Sequence, residues 1–177
     1  MQPYAMNTLA AAILLLGIYY TGHDQQAAAQ QTTKVADIGQ WQLWCGDANT
    51  TATCYVQQTQ GKTMEDGQIV RVASALIRRI LVDEQPRWLV QMTLPLGFHI
   101  PAGVGMRIGE TAEQSMTVQS CDNNGCVAAG LLSTEATVQI GFADVLVVGF
   151  RPQAESDPMV VNFPLEGLTD GLQKLAQ

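Results

Sequence analysis

The sequence predicts an all-β fold, an antiparallel β-sandwich with an apolar segment ahead of it and a short helix at its C-terminal end. Three observations predict it. From Lys34 onward, about nine short apolar stretches follow one another, bounded by Gly, Pro, Asn or Asp. No helical period separates them, so the βαβ rhythm of a parallel sheet is absent. Only residues 165–175 have helical spacing, with Leu168, Leu172 and Leu175 on one face. Many short strands without crossover helices make a sandwich or a barrel, and the sandwich is the expectation.

The chain has 177 residues, the size of one domain with extensions, and 47% hydrophobic content is enough for a true core. Its net charge is −7 and its pI near 4.6. The only adjacent basic pair is Arg78-Arg79, so no basic stripe exists to neutralise phosphates, and nucleic acid is excluded as a partner.

The N-terminal apolar run covers residues 9–20 and carries no charge. Ala27-Ala28-Ala29 follows it, small residues of the kind that precede signal cleavage, here after Ala29. Against removal, the segment before the run has no Lys or Arg, and tyrosines flank the run like interfacial anchors. Residues 3–22 would span roughly 30 Å as a helix, enough to cross a bilayer. The anchor would then consist of Tyr4, Leu9, Ile13, Leu14, Leu16, Ile18, Tyr19 and Tyr20. The chain therefore divides into 1–26, a signal peptide or uncleaved transmembrane anchor; 27–36, a linker; and 37–177, the β-sandwich domain. Either fate of the first segment places the domain outside the cytoplasm.

Within the domain, residues 40–45 alternate so that Trp41, Leu43 and Cys45 share one face. A turn cluster follows Gly46, and residues 53–57 return as the partner strand. Residues 61–67 are expected to be a loop. Residues 69–82 are long enough for a helix, but their β-branched content favours one long or bulged strand. A turn at 83–86 leads to a strand at 88–94. Residues 95–103 contain two prolines, which give no ladder donor, so they should form an ordered loop across one end of the sheet. Further strands are expected at 104–108, 115–121, 136–142, 145–150 and 159–163. Between 115–121 and an apolar run at 127–129 lies Cys121-Asp122-Asn123-Asn124-Gly125-Cys126, turn chemistry closed by a cysteine at each foot.

Four cysteines allow three pairings. The local pairs Cys45–Cys54 and Cys121–Cys126 each close a predicted hairpin and are the expected pairing. Each would contribute about 2–3 kcal/mol by loop closure. Neither has the C-x2-C spacing of a zinc knuckle or a thioredoxin-like site, so no metal and no cofactor is expected.

Other catalytic patterns fare no better. His99 sits in the proline-bounded loop and His23 in the export region; no serine has a G-x-S-x-G setting. Gly61-Lys62-Thr63 lacks the first glycine of a phosphate loop, since Val56 stands there. No catalytic residue is assigned. Trp41 and Trp44 differ in parity, so either one is core and the other exposed as a candidate partner contact, or both are packed as core through a covered second face. Phe98, in the proline-bounded loop, is a second candidate contact.

Taken in order, Trp41-Gln-Leu-Trp-Cys45 with Cys54, Leu94-Pro-Leu-Gly97 with Pro101-Ala-Gly103, and Cys121-x4-Cys126-Val-Ala resemble the invasion-associated locus B family. These are small exported proteins of alphaproteobacteria, and the resemblance covers about residues 38–175. It implies an Ig-like β-sandwich, a periplasmic or surface location and a role in host-cell invasion. It implies no catalytic residues. Cys45, Cys54, Cys121 and Cys126 match the family's cysteines and, by resemblance, carry its disulfides.

The resulting expectation is a non-enzymatic, periplasm-facing module that binds protein. It would be tethered to the inner membrane through residues 3–22 in the lipid bilayer, as an accessory subunit of an integral membrane complex, respiratory or photosynthetic. The alternative is a cleaved, soluble periplasmic or secreted factor of the invasion-associated type acting in host interaction. A third reading is a thiol–disulfide enzyme using Cys121 and Cys126.

Overall fold

The computed structural model describes residues 32–46 and 53–177. Alternation and turn chemistry produce ten strands: β1 Thr32–Ile38, β2 Trp41–Gly46, β3 Tyr55–Thr63, β4 Ile69–Val82, β5 Gln85–Leu94, β6 Val104–Ile108, β7 Gln114–Asp122, β8 Gly125–Leu131, β9 Val145–Phe150 and β10 Met159–Pro164. Helices α1 (Thr134–Gln139) and α2 (Leu168–Ala176) lie on either side of the last two strands, and a 3-10 turn, Ile100–Ala102, sits in the proline-bounded loop.

All neighbouring strands are antiparallel, in the order β1-β2-β3-β4-β5-β8-β7-β6-β9-β10. The first five form a meander, each pairing with the next along the chain. β7 belongs to two layers. Its residues Gln114–Met116 pair with β6, and from Thr117 onward it pairs with β8. The ribbon thus folds over itself, with β10 lying against β3 and β4 across the core. This meander differs from the immunoglobulin order of ABED and CFG sheets, so the Ig-like part of the expectation does not describe the strand order.

The core lies between the layers. Val56, Ala75, Ile77, Val90 and Met92 from the larger layer meet Leu146, Val148 and Phe163 from the smaller one, all fully buried. Helix α2 covers the rest of the larger layer with Leu168, Leu172 and Leu175. Its approach depends on glycine at two crossing points of the backbone. A side chain at Gly167 would collide with the Ile38 carbonyl, and one at Gly39 with that of Glu166; both residues have positive φ. The Gln40 N–H donates to Glu166 O at 3.0 Å beside them.

Four expectations need correction. Residues 136–142 are not a strand: α1 occupies Thr134–Gln139. Ser133 caps it, its Oγ accepting the Ala136 N–H at 3.0 Å, while Thr137 Oγ1 donates back to the Ser133 carbonyl at 2.9 Å. A local capping network here outweighs the β-branched content of the segment. The stretch read as linker, 27–36, is strand from Thr32 on, because β1 supplies the edge partner for β2. The loop expected at 61–67 begins later, since β3 continues through residues 61–63 to Thr63 opposite Ile69 and only 64–67 turn. Pro86 lies inside β5, opposite Leu81, and the turn shrinks to Asp83-Glu84, both with positive φ as a two-residue hairpin requires.

Residues 69–82 form one strand throughout, β4. The proposed anchor residues Tyr4, Leu9, Ile13, Leu14, Leu16, Ile18, Tyr19 and Tyr20 lie outside the described residues. Among the described residues, no helix is long and apolar enough to cross a membrane.

Candidate partner-binding site

Asp122-Asn123-Asn124-Gly125 closes β7 onto β8, and four separate features hold it in place. Cys121 and Cys126 face each other in the ladder and are joined by a disulfide. Asp122 Oδ1 accepts the Asn124 N–H at 2.7 Å, an Asx turn. Gly125 has φ +136° and lies against the Leu94 carbonyl at the end of β5, where a side chain would collide with it. Arg71 of β4 reaches across, its Nη2 donating to the Asn124 carbonyl at 3.0 Å.

These contacts make one rim of a cleft of about 210 Å³. Arg71 and Val72 form its β4 side, Thr93 and Leu94 its β5 side, Pro95 and Leu96 its far wall, and Asn123 and Asn124 its rim. β3 and β4 overhang the core at this end: every residue from Gly61 to Arg71 is exposed. Ile69 is 76% exposed, Val70 49% and Leu96 56%, so apolar surface lies on both sides of the cleft. Exposed aliphatic groups beside a rigid, polar-rimmed hollow are what a protein contact uses. Among the described residues the one ion pair is Lys34–Asp37, so no carboxylate pairs with Arg71 there. No three His, Cys, Asp or Glu residues are grouped to hold a metal among the described residues.

A second hollow of about 210 Å³ lies at the other end of β5, under α1, lined by Pro86, Trp88, Leu132 and Val138. Phe142, 80% exposed, stands free after α1. Arg87 lines this hollow too, but no hydrogen bond fixes its guanidinium among the described residues.

The proposed contacts separate. Trp41 is fully buried, with its Nε1 donating to the Pro164 carbonyl at 2.9 Å, so it is core and not a contact. Phe98 is also buried, stacked edge-to-face on Phe150 at 5.6 Å between centroids, because the proline-bounded loop folds inward over the end of the core. Trp44 is half-buried on the outer face beside Tyr55, and its indole N–H has no partner among the described residues. It stands away from the cleft. The other disulfide, Cys45–Cys54, is at Trp44's end of the sheet, with both residues buried. His99 is tied into its loop through its backbone N–H, which donates to the Arg151 carbonyl at 2.7 Å.

The sequence alone does not single out Arg71, Ile69 or Leu96. The signal was present in part: a lone cation two residues inside an apolar strand end, and a leucine between prolines and glycines. Only the register, which places β4 across β5 from the hairpin tip, brings them together.

The family described as "Invasion associated locus B (IalB) protein" matches residues 41–176. That is most of the chain. The chain belongs to this family. Two curated invasion protein B homologs of Brucella abortus, from strain 2308 and from biovar 1 strain 9-941, are each 22% identical over 135 residues, covering 76% of this chain and 75% of the relative. The crystal structure of invasion associated protein b from Bartonella henselae superposes with a TM-score of 0.64 at 15% identity, over 82% of this chain and 96% of that one. The fold is therefore shared by this invasion associated locus B member and the Bartonella protein.

Proposed function

We propose that this chain is an exported, non-enzymatic binding module of the invasion-associated type, cleaved and soluble in the periplasm or secreted. It contacts a protein partner through the end of the sandwich that carries the Cys121–Cys126 hairpin. The observation that carries this reading is the fixed turn beside an open cleft, with Ile69, Val70 and Leu96 exposed around it. A disulfide, an Asx turn and an arginine bridge spent on one exposed turn are out of proportion to the stability of a tip. They serve instead to present a surface of constant shape, which lowers the ordering cost of binding. Two disulfides suit an oxidising compartment. The relatives are named as invasion proteins, and the setting proposed here, host interaction, follows that naming.

The test is competition. Labelled, oxidised protein is bound to host-cell surfaces and displaced by unlabelled protein or by the Ile69→Asp/Leu96→Asp double variant. The variant should displace at least roughly tenfold less well, since burying an unpaired carboxylate in an apolar contact is costly. Equal displacement would remove this end of the molecule from the reading. Fractionation tests the address: the mature chain should appear in periplasm or medium and be released by carbonate.

The membrane-anchored accessory subunit has no supporting observation among the described residues, since it rests on residues 3–22. A carbonate-resistant, full-mass protein would restore it. The thiol–disulfide reading has one feature in its favour, the exposed Cys121. Against it, Cys121 lies in a strand ladder and not at a helix N-terminus, where thiols are activated.

A further inference from the structure

The charge of this protein makes Arg71 unusual in its setting. A chain of net charge −7 repels acidic partners over most of its surface. At the cleft the opposite holds locally. One guanidinium is held by its Nη2 bond to the Asn124 carbonyl, no described carboxylate pairs with it, and its remaining N–H groups are available at the cleft. Asp122 is the acidic residue of the hairpin turn, and its Oδ1 accepts the Asn124 N–H. A planar, preoriented guanidinium selects carboxylates in a way that a mobile lysine does not.

Apolar surface continues on both sides of that cation, Ile69 on the same face of β4 two residues outward and Leu96 across the cleft. A ligand that ended at the carboxylate would use one side only. We infer that the cleft takes an extended protein segment in which a single acidic side chain, set on Arg71, is flanked on each side by aliphatic residues seated on Ile69 and on Leu96. This inference rests on the docking reading above and adds its chemistry: the aliphatic contacts supply affinity, and the carboxylate sets the register. The repulsive field elsewhere then works as a filter, because an acidic segment is tolerated only where Arg71 meets it.

The experiment uses the full oxidised chain, isotope-labelled, and three peptides, the first two capped at both ends and the third capped only at its N-terminus. The first is Val-Leu-Glu-Leu-Val, the second has Gln for Glu, and the third lacks the acidic residue but ends in a free carboxylate. Amide shifts of Asn124 and Leu96 and the side-chain N–H signal of Arg71 locate binding, and titration gives the affinities. The Glu peptide should shift all three signals and bind roughly tenfold or more tightly than the Gln peptide, as a charge-assisted hydrogen bond requires. Arg71→Gln should abolish that difference and leave the weaker apolar binding intact. Arg71 is exposed, so the variant is expected to fold, and an unchanged spectrum away from the cleft checks this. If Glu and Gln peptides bind the cleft equally, or the free-carboxylate peptide binds best, the inference is overturned and the docking reading stands. If no peptide shifts these signals, the inference falls, and the competition with Ile69→Asp/Leu96→Asp decides the docking reading separately.

Discussion

The two disulfides lie at opposite ends of the sheet and do different work. Cys45 and Cys54 are both buried, at 8% exposure each, and belong to the hydrophobic core beside Leu43 and Val56. Cys126 is buried at 3%, but its partner Cys121 is exposed on the outside of the hairpin. The loops they close are similar, with separations of 9 and 5 residues, so loop entropy alone gives each about 2–3 kcal/mol. What separates them is therefore the native side. One sulfur bridge fills the interior, while the other shapes a surface. A similar covalent device thus lies within the core at one end and on an exposed turn at the other.

That contrast can be broken most strongly at the buried bridge. Cys45→Ala/Cys54→Ala removes the link and also leaves a packing defect, for an expected cost of about 4 kcal/mol, on the order of 10 °C in Tm by calorimetry. Cys121→Ala/Cys126→Ala should cost about 2 kcal/mol, near the entropic term alone, and leave the spectrum of the core unchanged while binding weakens. Stepwise reduction of the folded protein sharpens the same point. Mass-tagging after dithiothreitol should find Cys121 and Cys126 free before Cys45 and Cys54, because only Cys121 is open to an attacking thiolate.

Gly125→Ala tests whether the hairpin tip needs more than its disulfide. The added carbon meets the Leu94 carbonyl at a φ of +136°, so about 1–2 kcal/mol of stability should be lost. Faster hydrogen exchange should be confined to Asn123, Asn124 and the end of β5. The smallest effect is expected beside the buried bridge. Trp44→Phe deletes an indole N–H that has no partner, which offsets the lost packing and should keep the change in urea unfolding within about 1 kcal/mol.

Periodicity makes the scaffold legible: the alternation of Trp41, Leu43 and Cys45 assigns the buried face, and Leu168, Leu172 and Leu175 assign that of α2. Turn chemistry makes the hairpins and their cysteine pairs legible as well. Residues 136–142 read as strand because Val138, Ile140 and Phe142 carry β propensity, whereas the cap at Ser133 ahead of them decides for helix. The burial of Phe98 was hidden for a related reason. Proline content says that a loop will not pair, and does not say which way the loop folds. Long-range register is the part a single sequence hides most completely. Arg71 and Asn124 are 53 residues apart, and nothing local in either stretch announces the other.

One consequence follows from β7, whose first residues are laddered into one layer and whose remainder is laddered into the other. The two halves of the sandwich share a continuous piece of backbone and have no seam along which to part. Neither can melt away and leave the other standing, so heat and denaturant should dismantle the molecule in one step. An all-or-none structure offers proteases no half-open state to cut.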